Sequence, residues 1–288
     1  MPSGIRTRTS GIIVSVNVEP ATTPYVGPGD IVSGARGWWG LRAYSNATMG
    51  TNAIRLRRDS DNAELDFTTL SPSGALDEAS ITTWAGGANL FITKAYDQSG
   101  NSQDAAQATF AKQLPFLRNG LGSHSVATGI VGSPCGLLTG ATFSFVVPLT
   151  VVFVAFWNSG GTNEPQYLTG NTTGSFAWGF TGNLTPPQKV RAVDGLVFDT
   201  TVTNTNSWHT FISVDNGDAT STNFVDGVTT TGDMGSTSVS GQIAGVGGLA
   251  VSQDPEKPQV EWGIWPGAFT SGNKTSMESN AKNYWGYT

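Results

Sequence analysis

The sequence predicts an all-β chain whose many short antiparallel strands close into a sandwich or barrel. Short apolar/polar alternations recur along it, Gly and Asn turn signals separate them, and only two segments have helical patterning. The 288 residues include 37 glycines, and only 12% are charged, roughly half the usual share. Hydrophobic residues reach 38%, enough for a sizeable core. Sandwiches of this length commonly form one domain.

Residues 1–36 read as an N-terminal arm. Ile12 to Val18 alternates weakly as one strand, and Pro20, Pro24, Gly27, Pro28 and Gly29 then break regular structure. Such an arm either packs on its own domain or reaches a neighbour. Residues 37–288 read as the β-domain. Ala53 to Arg57 and Leu90 to Tyr96 alternate as half-buried strands do. Val146 to Trp157 is a long apolar run, expected of a central strand buried on both faces. Trp208 to Val214, Thr222 to Phe224, Val239 to Val246 and Val260 to Trp265 supply later strands. Asp215-Asn216-Gly217 and Asp226-Gly227 read as hairpin turns, because Gly and Asn accept positive φ. One helix is expected over Ala75 to Trp84, with Asp77 and Glu78 at its positive end. A short C-terminal helix is expected to open on the capping box Thr275-Ser276-Met277-Glu278. Met277, Ala281, Tyr284 and Trp285 then share one face for packing.

Charge and composition exclude several classes. A net charge of −6 and a pI near 4.8 argue against a nucleic-acid partner. No apolar run is long enough for a membrane-spanning helix, so no membrane insertion is expected. The single cysteine, Cys135, excludes an internal disulfide and reads as a small buried hydrophobe. Arg6 and Arg8 are not followed by an apolar h-region, so no secretory signal peptide is expected. The abundance of Gly, Ser, Thr, Asn and aromatics nevertheless suits a surface that works outside a cell.

Two stretches carry a family resemblance. Leu41-Arg42-Ala43-Tyr44-Ser45, Ala53 to Arg58, Leu70-Ser71-Pro72 and Tyr96-Asp97-Gln98-Ser99-Gly100-Asn101 resemble the first half of the arabinofuranosidase B catalytic domain. Ile243 to Gly248 is similar to that family's Gly-rich late strand. Trp208-His209, Asp215-Asn216-Gly217 and Phe224 to Val228 resemble laminin-G and lectin-like sandwiches. The chain's end at Tyr284-Trp285-Gly286 is similar to ends of bacterial and phage lectin-like modules. Residues 116–204 match poorly. The resemblance implies a concanavalin A-like antiparallel β-sandwich, or jelly roll.

The resemblance also implies two catalytic carboxyl groups. Its acid/base Asp belongs directly after Gly247-Gly248, where this chain has Leu249. Its nucleophile belongs within Arg191 to Leu196, where Val193 falls in place without gaps and Asp194 with one inserted residue. The family's paired cysteines are replaced by Thr162-Asn163-Glu164-Pro165. Asp254, Glu256 and Glu261 are the substitute acids nearby. A chain without enzymatic activity is therefore expected; a carbohydrate-binding module, or a furanosidase with displaced carboxylates, is the alternative.

Aromatic faces stack on sugars while carboxylates and amides bond hydroxyls. Trp38, Trp39, Trp178, Asp194, Glu261 and Trp262 are the carbohydrate-binding candidates, and one Trp of the Trp38-Trp39 pair should face out. His209 belongs to the Trp-His strand signature, and no Gly-x-Ser-x-Gly elbow supports a Ser-His-Asp triad. No cofactor is expected, with a lectin-type Ca2+ site at Asp215, Asn216 and Asp218 the alternative. An outside-type surface, no export signal and a glycosidase scaffold with Leu249 at its acid position together suggest a tailed-phage virion protein, in capsid decoration or tail. Its partners would be other virion proteins, copies of itself and host-surface glycans.

Overall fold

A computed structural model describes residues 24–128, 135–157, 166–171, 176–180, 189–203, 206–236, 238–248 and 258–288. The first strands are β1 (Gly37–Gly40), β2 (Asn52–Arg58), β3 (Glu64–Thr68), β4 (Leu90–Ala95), β5 (Ala105–Ala106), β6 (Leu114–Leu121) and β7 (His124–Ala127). Then come β8 (Leu137–Thr139), β9 (Phe143–Phe145), β10 (Leu149–Trp157), β11 (Gln166–Asn171), β12 (Phe176–Phe180), β13 (Lys189–Asp194) and β14 (Leu196–Thr203). The last are β15 (Ser207–Asp215), β16 (Ser221–Val225), β17 (Val228–Gly232), β18 (Val239–Gln242), β19 (Ala244–Val246) and β20 (Gln259–Pro266). Helices α1 (Pro28–Ile31), α2 (Glu78–Ala85) and α3 (Ser271–Trp285) complete the described elements.

All described pairings are antiparallel. One ladder runs β17–β16–β15–β10–β20–β1. A second runs β3–β2–β4–β5–β8–β19–β11–β12–β13–β14. Strands β6 and β7 extend from β4, and Ala127 of β7 meets Gln259 of β20. The architecture is the antiparallel β-sandwich expected, with its short C-terminal helix.

Strand β10 is buried on both faces, as its apolar run requires. Val151, Phe153, Ala155 and Trp157 enter the main core with Trp39, Leu56, Phe67, Phe145, Trp178 and Trp262. Val152 points the other way, into a second cluster with Trp38, Ile212, Val214, Trp265 and Met277 of α3. Trp38 and Trp39 do face opposite sides of β1, but neither faces out. A helix covers what would have been the solvent side.

The Tyr96–Asn101 string turns out to be a structural clamp. Asp97 accepts backbone N–H bonds from Trp38, Ser99 and Gln103 at 2.9–3.0 Å. Gln98 accepts from Tyr44 N and donates to Gly40 O, and Asn101 Nδ2 donates to Ala35 O. These side chains satisfy backbone groups around β1 that no ladder reaches. The segment after residue 23 also packs on its own sandwich. Tyr25 Oη donates to Ala43 O, and Trp265 Nε1 donates to Val32 O. Ile12 to Val18 lies outside the described residues.

Both helix starts differ from expectation. Ala75 and Leu76 bridge to Arg42 and Thr69, so α2 begins only at Glu78, capped by Asp77, whose carboxylate accepts from Ser80 N. Helix α3 begins at Ser271, because Thr270 is its cap and accepts from Asn273 N at 3.1 Å. Glu278, expected in a capping box, instead accepts from Gly227 N at 3.2 Å. The stripe Met277, Ala281 and Trp285 is buried as expected, and Tyr284 is partly buried. The run Val239 to Val246 divides into β18 and β19, which pair with different partners.

Candidate functional site

All six carbohydrate-binding candidates are at most 1% exposed. Trp38 packs edge-on against Trp265 at 5.8 Å and tilted against Tyr44 at 5.9 Å. Trp39 Nε1 donates to Gln103 O at 2.8 Å. Trp178 stacks on Phe145 at 6.4 Å. Trp262 Nε1 donates to Gln259 Oε1 at 2.5 Å. The open stacking faces expected of these four tryptophans are thus filled by protein. A sandwich interior needs bulky side chains from both ladders, and that requirement wins here.

Glu261 faces inward rather than toward a cleft. Its Oε1 pairs with Arg42 Nε and accepts from Trp285 Nε1 at 2.5 Å. Arg42 is itself fully buried, with its guanidinium 4.6 Å from the centre of the Tyr284 ring. Burial alone would lower the Arg42 pKa, but the Glu261 carboxylate outweighs it and the pKa is raised. The pair anchors α3 to β20 and to the segment after β1.

Asp194 lies where β13 turns into β14 through Gly195, which has φ +76°. Its backbone N–H donates to Met234 O at 3.0 Å, and Leu196 N donates to the same oxygen at 3.1 Å. Asp215 closes β15, and its Oδ1 accepts from Gly217 N at 2.9 Å and from Ser221 Oγ at 3.4 Å. The Asp194 and Asp215 carboxyls are both fully buried, and Asp194 is one of the groups that act on the Asp215 carboxyl. Burial pushes the Asp215 carboxyl above its usual range, and the nearby Asp233 charge pushes the same way. The bonds from Gly217, Asp194 and Ser221 oppose them without prevailing.

A raised carboxyl pKa has a stability consequence. Folding favours the protonated form, so the contribution is fully present below the unfolded value near pH 4 and lost as pH rises through the raised folded value. Asp215→Asn keeps the acceptor for Gly217 and removes the charge. Urea unfolding followed from pH 4 upward is expected to show the wild type losing stability where the variant does not. Parallel profiles would mean that Asp215 ionises freely in the fold.

Asp194 ends β13 and Asp215 ends β15, and no local spacing in the sequence joins the two. The Asp215-Asn216-Gly217 pattern reads in sequence as a hairpin turn and as a candidate calcium loop. There Asn216 Nδ2 bonds Thr220 O, and Asp218 accepts from Thr220 N, so these side chains serve the turn itself. Among the described residues no three His, Cys, Asp or Glu side chains converge as metal ligands would. Leu249, Asp254, Glu256 and Thr162 to Pro165 lie outside the described residues. A surface groove of about 670 Å3 lies away from the carboxyl pair, lined by Asn89, Phe91, Leu117, Arg118 and Asn119 among others.

No protein-family model and no curated protein matches the sequence. Solved structures do share the fold. A GH54 α-L-arabinofuranosidase soaked with a cyclic sulfate inhibitor is similar over 91% of this chain, with TM-score 0.71 and 17% identity. An arabinofuranosidase complexed with arabinofuranosyl-α-1,2-xylobiose gives 0.70 and 17% over the same share. A GH54 α-L-arabinofuranosidase variant soaked with 4-nitrophenyl α-L-arabinofuranoside gives 0.70 and 16%. The chain spans 66% of the length of each. This corrects the expectation of a chain without enzymatic activity, drawn from Leu249 and Val193. Over nine-tenths of its length the chain has the β-sandwich fold of glycoside hydrolases.

Proposed function

We propose that the chain is a glycoside-processing sandwich that engages arabinofuranosyl glycans, with Asp194 and Asp215 as its proton-holding centre. The observation that carries this reading is the fold, shared with an arabinofuranosidase over 91% of the chain. Asp194 belongs to the segment where the family resemblance implies a nucleophile, and the buried Asp215 carboxyl is pushed above its usual range. A protonated carboxyl can deliver its proton to a departing glycosidic oxygen once the substrate reaches it. Asp194 and Asp215 are fully buried in this structure, so turnover at them is expected to be slow.

The test uses 4-nitrophenyl α-L-arabinofuranoside for hydrolysis and arabinofuranosyl-xylobiose for calorimetric binding. Saturable binding with slow nitrophenol release, and loss of that release in Asp194→Asn at unchanged binding, is the expected result. Neither binding nor release from the folded wild type would sink the reading. A virion setting, proposed from surface composition, has its own check. Mass spectrometry of particles purified from the source's lysate should recover the chain in stoichiometric amount, and recovery only in the soluble fraction would discard it.

A further inference from the structure

Away from the carboxyl pair, Ser207 Oγ lies 2.9 Å from His209 Nε2, and His209 Nδ1 lies 2.5 Å from Asp226 Oδ2. We propose that Ser207, His209 and Asp226 form a nucleophilic relay that hydrolyses an ester of a small acyl group. This inference is independent of the glycan reading, since it concerns a different bond at a different place.

The strand geometry explains how the three meet. Ser207 and His209 are two apart on β15, so their side chains share one face. Strand β16 pairs with β15 with Val225 opposite Phe211, so the next residue, Asp226, comes to the level of Thr210, beside His209. Asp226 then takes a left-handed turn at φ +48°, followed by Gly227 at φ +76°. Ser207 itself follows Asn206, a non-glycine residue at φ +55°. Such backbone strain concentrates at functional sites.

An ionised Asp226 can only accept, and in the tautomer that carries its proton on Nδ1 the His209 Nε2 is an acceptor facing the Ser207 hydroxyl. That is the arrangement a general base needs. Lys282 Nζ lies 3.3 Å from the other Asp226 oxygen and favours its ionised form. Glu278 holds the turn through Gly227 N. The edges of Trp157 at 5.8 Å and Phe211 at 5.7 Å wall the imidazole, which is 3% exposed. Ser207 is half-buried beside the exposed Asn206, so a donor from solvent reaches it at the strand's start.

In the first step Ser207 Oγ bonds to the ester carbonyl carbon while its proton passes to His209 Nε2. The bond from that carbon to the alcohol oxygen then breaks, and Nε2 returns the proton to the departing alcohol. Water attacks the acylated serine, gives a proton to Nε2 and forms the carboxylic acid. Ser207 regains its proton, so ester and water yield acid and alcohol with no other reactant.

The test treats the whole chain with 4-nitrophenyl acetate and, separately, with a fluorophosphonate that labels only activated serines. Steady nitrophenol release and a stoichiometric adduct mapped to Ser207 by mass spectrometry are expected. Ser207→Ala should abolish the adduct and lower release at least about 10²-fold at an unchanged unfolding midpoint. Asp226→Asn should lower both labelling rate and release while Ser207 stays in place. The absence of an adduct on Ser207, or equal release from Ser207→Ala, overturns the proposal and leaves the three as a structural hydrogen-bond chain.

Discussion

Glu261→Gln is expected to cost about 3–5 kcal/mol of folding stability. The substitution keeps an oxygen to accept from Trp285 but removes the charge opposite Arg42. Arg42 cannot shed its proton, and Glu261 is the carboxylate that its buried guanidinium pairs with. The guanidinium would stay charged, buried and uncompensated. The half-exposed pair Arg55–Asp66 provides the contrast, with Nε to Oδ1 at 2.7 Å and side chains 39% and 32% exposed. Asp66→Asn should cost less than about 1 kcal/mol, because solvent screens that pair. Urea midpoints at constant slope separate the two cases. A double variant, Arg42→Met with Glu261→Leu, should recover much of the loss, since apolar replacement of both partners leaves no stranded charge. A Glu261→Gln protein with wild-type stability but no hydrolysis would return Glu261 to the catalytic role that its sequence neighbourhood suggested.

Glu261 also shows what the sequence could and could not tell. The strand through it was legible, because Val260, Trp262, Ile264 and Trp265 are apolar and β-favouring. Its partner was not, since Arg42 is distant in sequence and no local spacing joins them. The same holds for Asp194 and Asp215, which belong to different hairpins. Strands β6, β11 and β12 were missed because Gly, Pro, Asn or Gln interrupt their alternation, and β7 to β9 because each is only three or four residues long. The tryptophans were legible as aromatic mass but not as filling. Alternation places Trp38 and Trp39 on opposite faces, yet nothing local says that α3 will cover one of those faces. The Tyr96–Asn101 string marked the family resemblance correctly, while its work as a backbone clamp around β1 appears only in three dimensions.

Gly235→Ala is expected to be the most damaging single-methyl change near the carboxyl pair. Gly235 has φ +108°, a conformation that L side chains rarely adopt. A Cβ there would stand 1.6 Å from the carbonyl oxygen of Asp194 and 3.1 Å from Leu196 N. Backbone atoms cannot yield as a side-chain tip can, so the loop must leave the hairpin. Its departure breaks both bonds to Met234 O and uncovers Met234, which is fully buried. Losing two backbone hydrogen bonds and one buried Met side chain sums to roughly 3 kcal/mol or more. The Asp233 charge, which helps raise the Asp215 carboxyl, moves away with the loop. The variant should therefore show a lower urea midpoint together with a weaker fall of stability as pH rises above about 4 than the wild type has. Leu196→Ala removes an exposed side chain from the same hairpin without touching the loop, and it should change neither quantity much. If Gly235→Ala lowers the midpoint yet leaves the pH dependence intact, then Asp215 is held protonated by its burial alone, and the loop serves only to seal the hairpin.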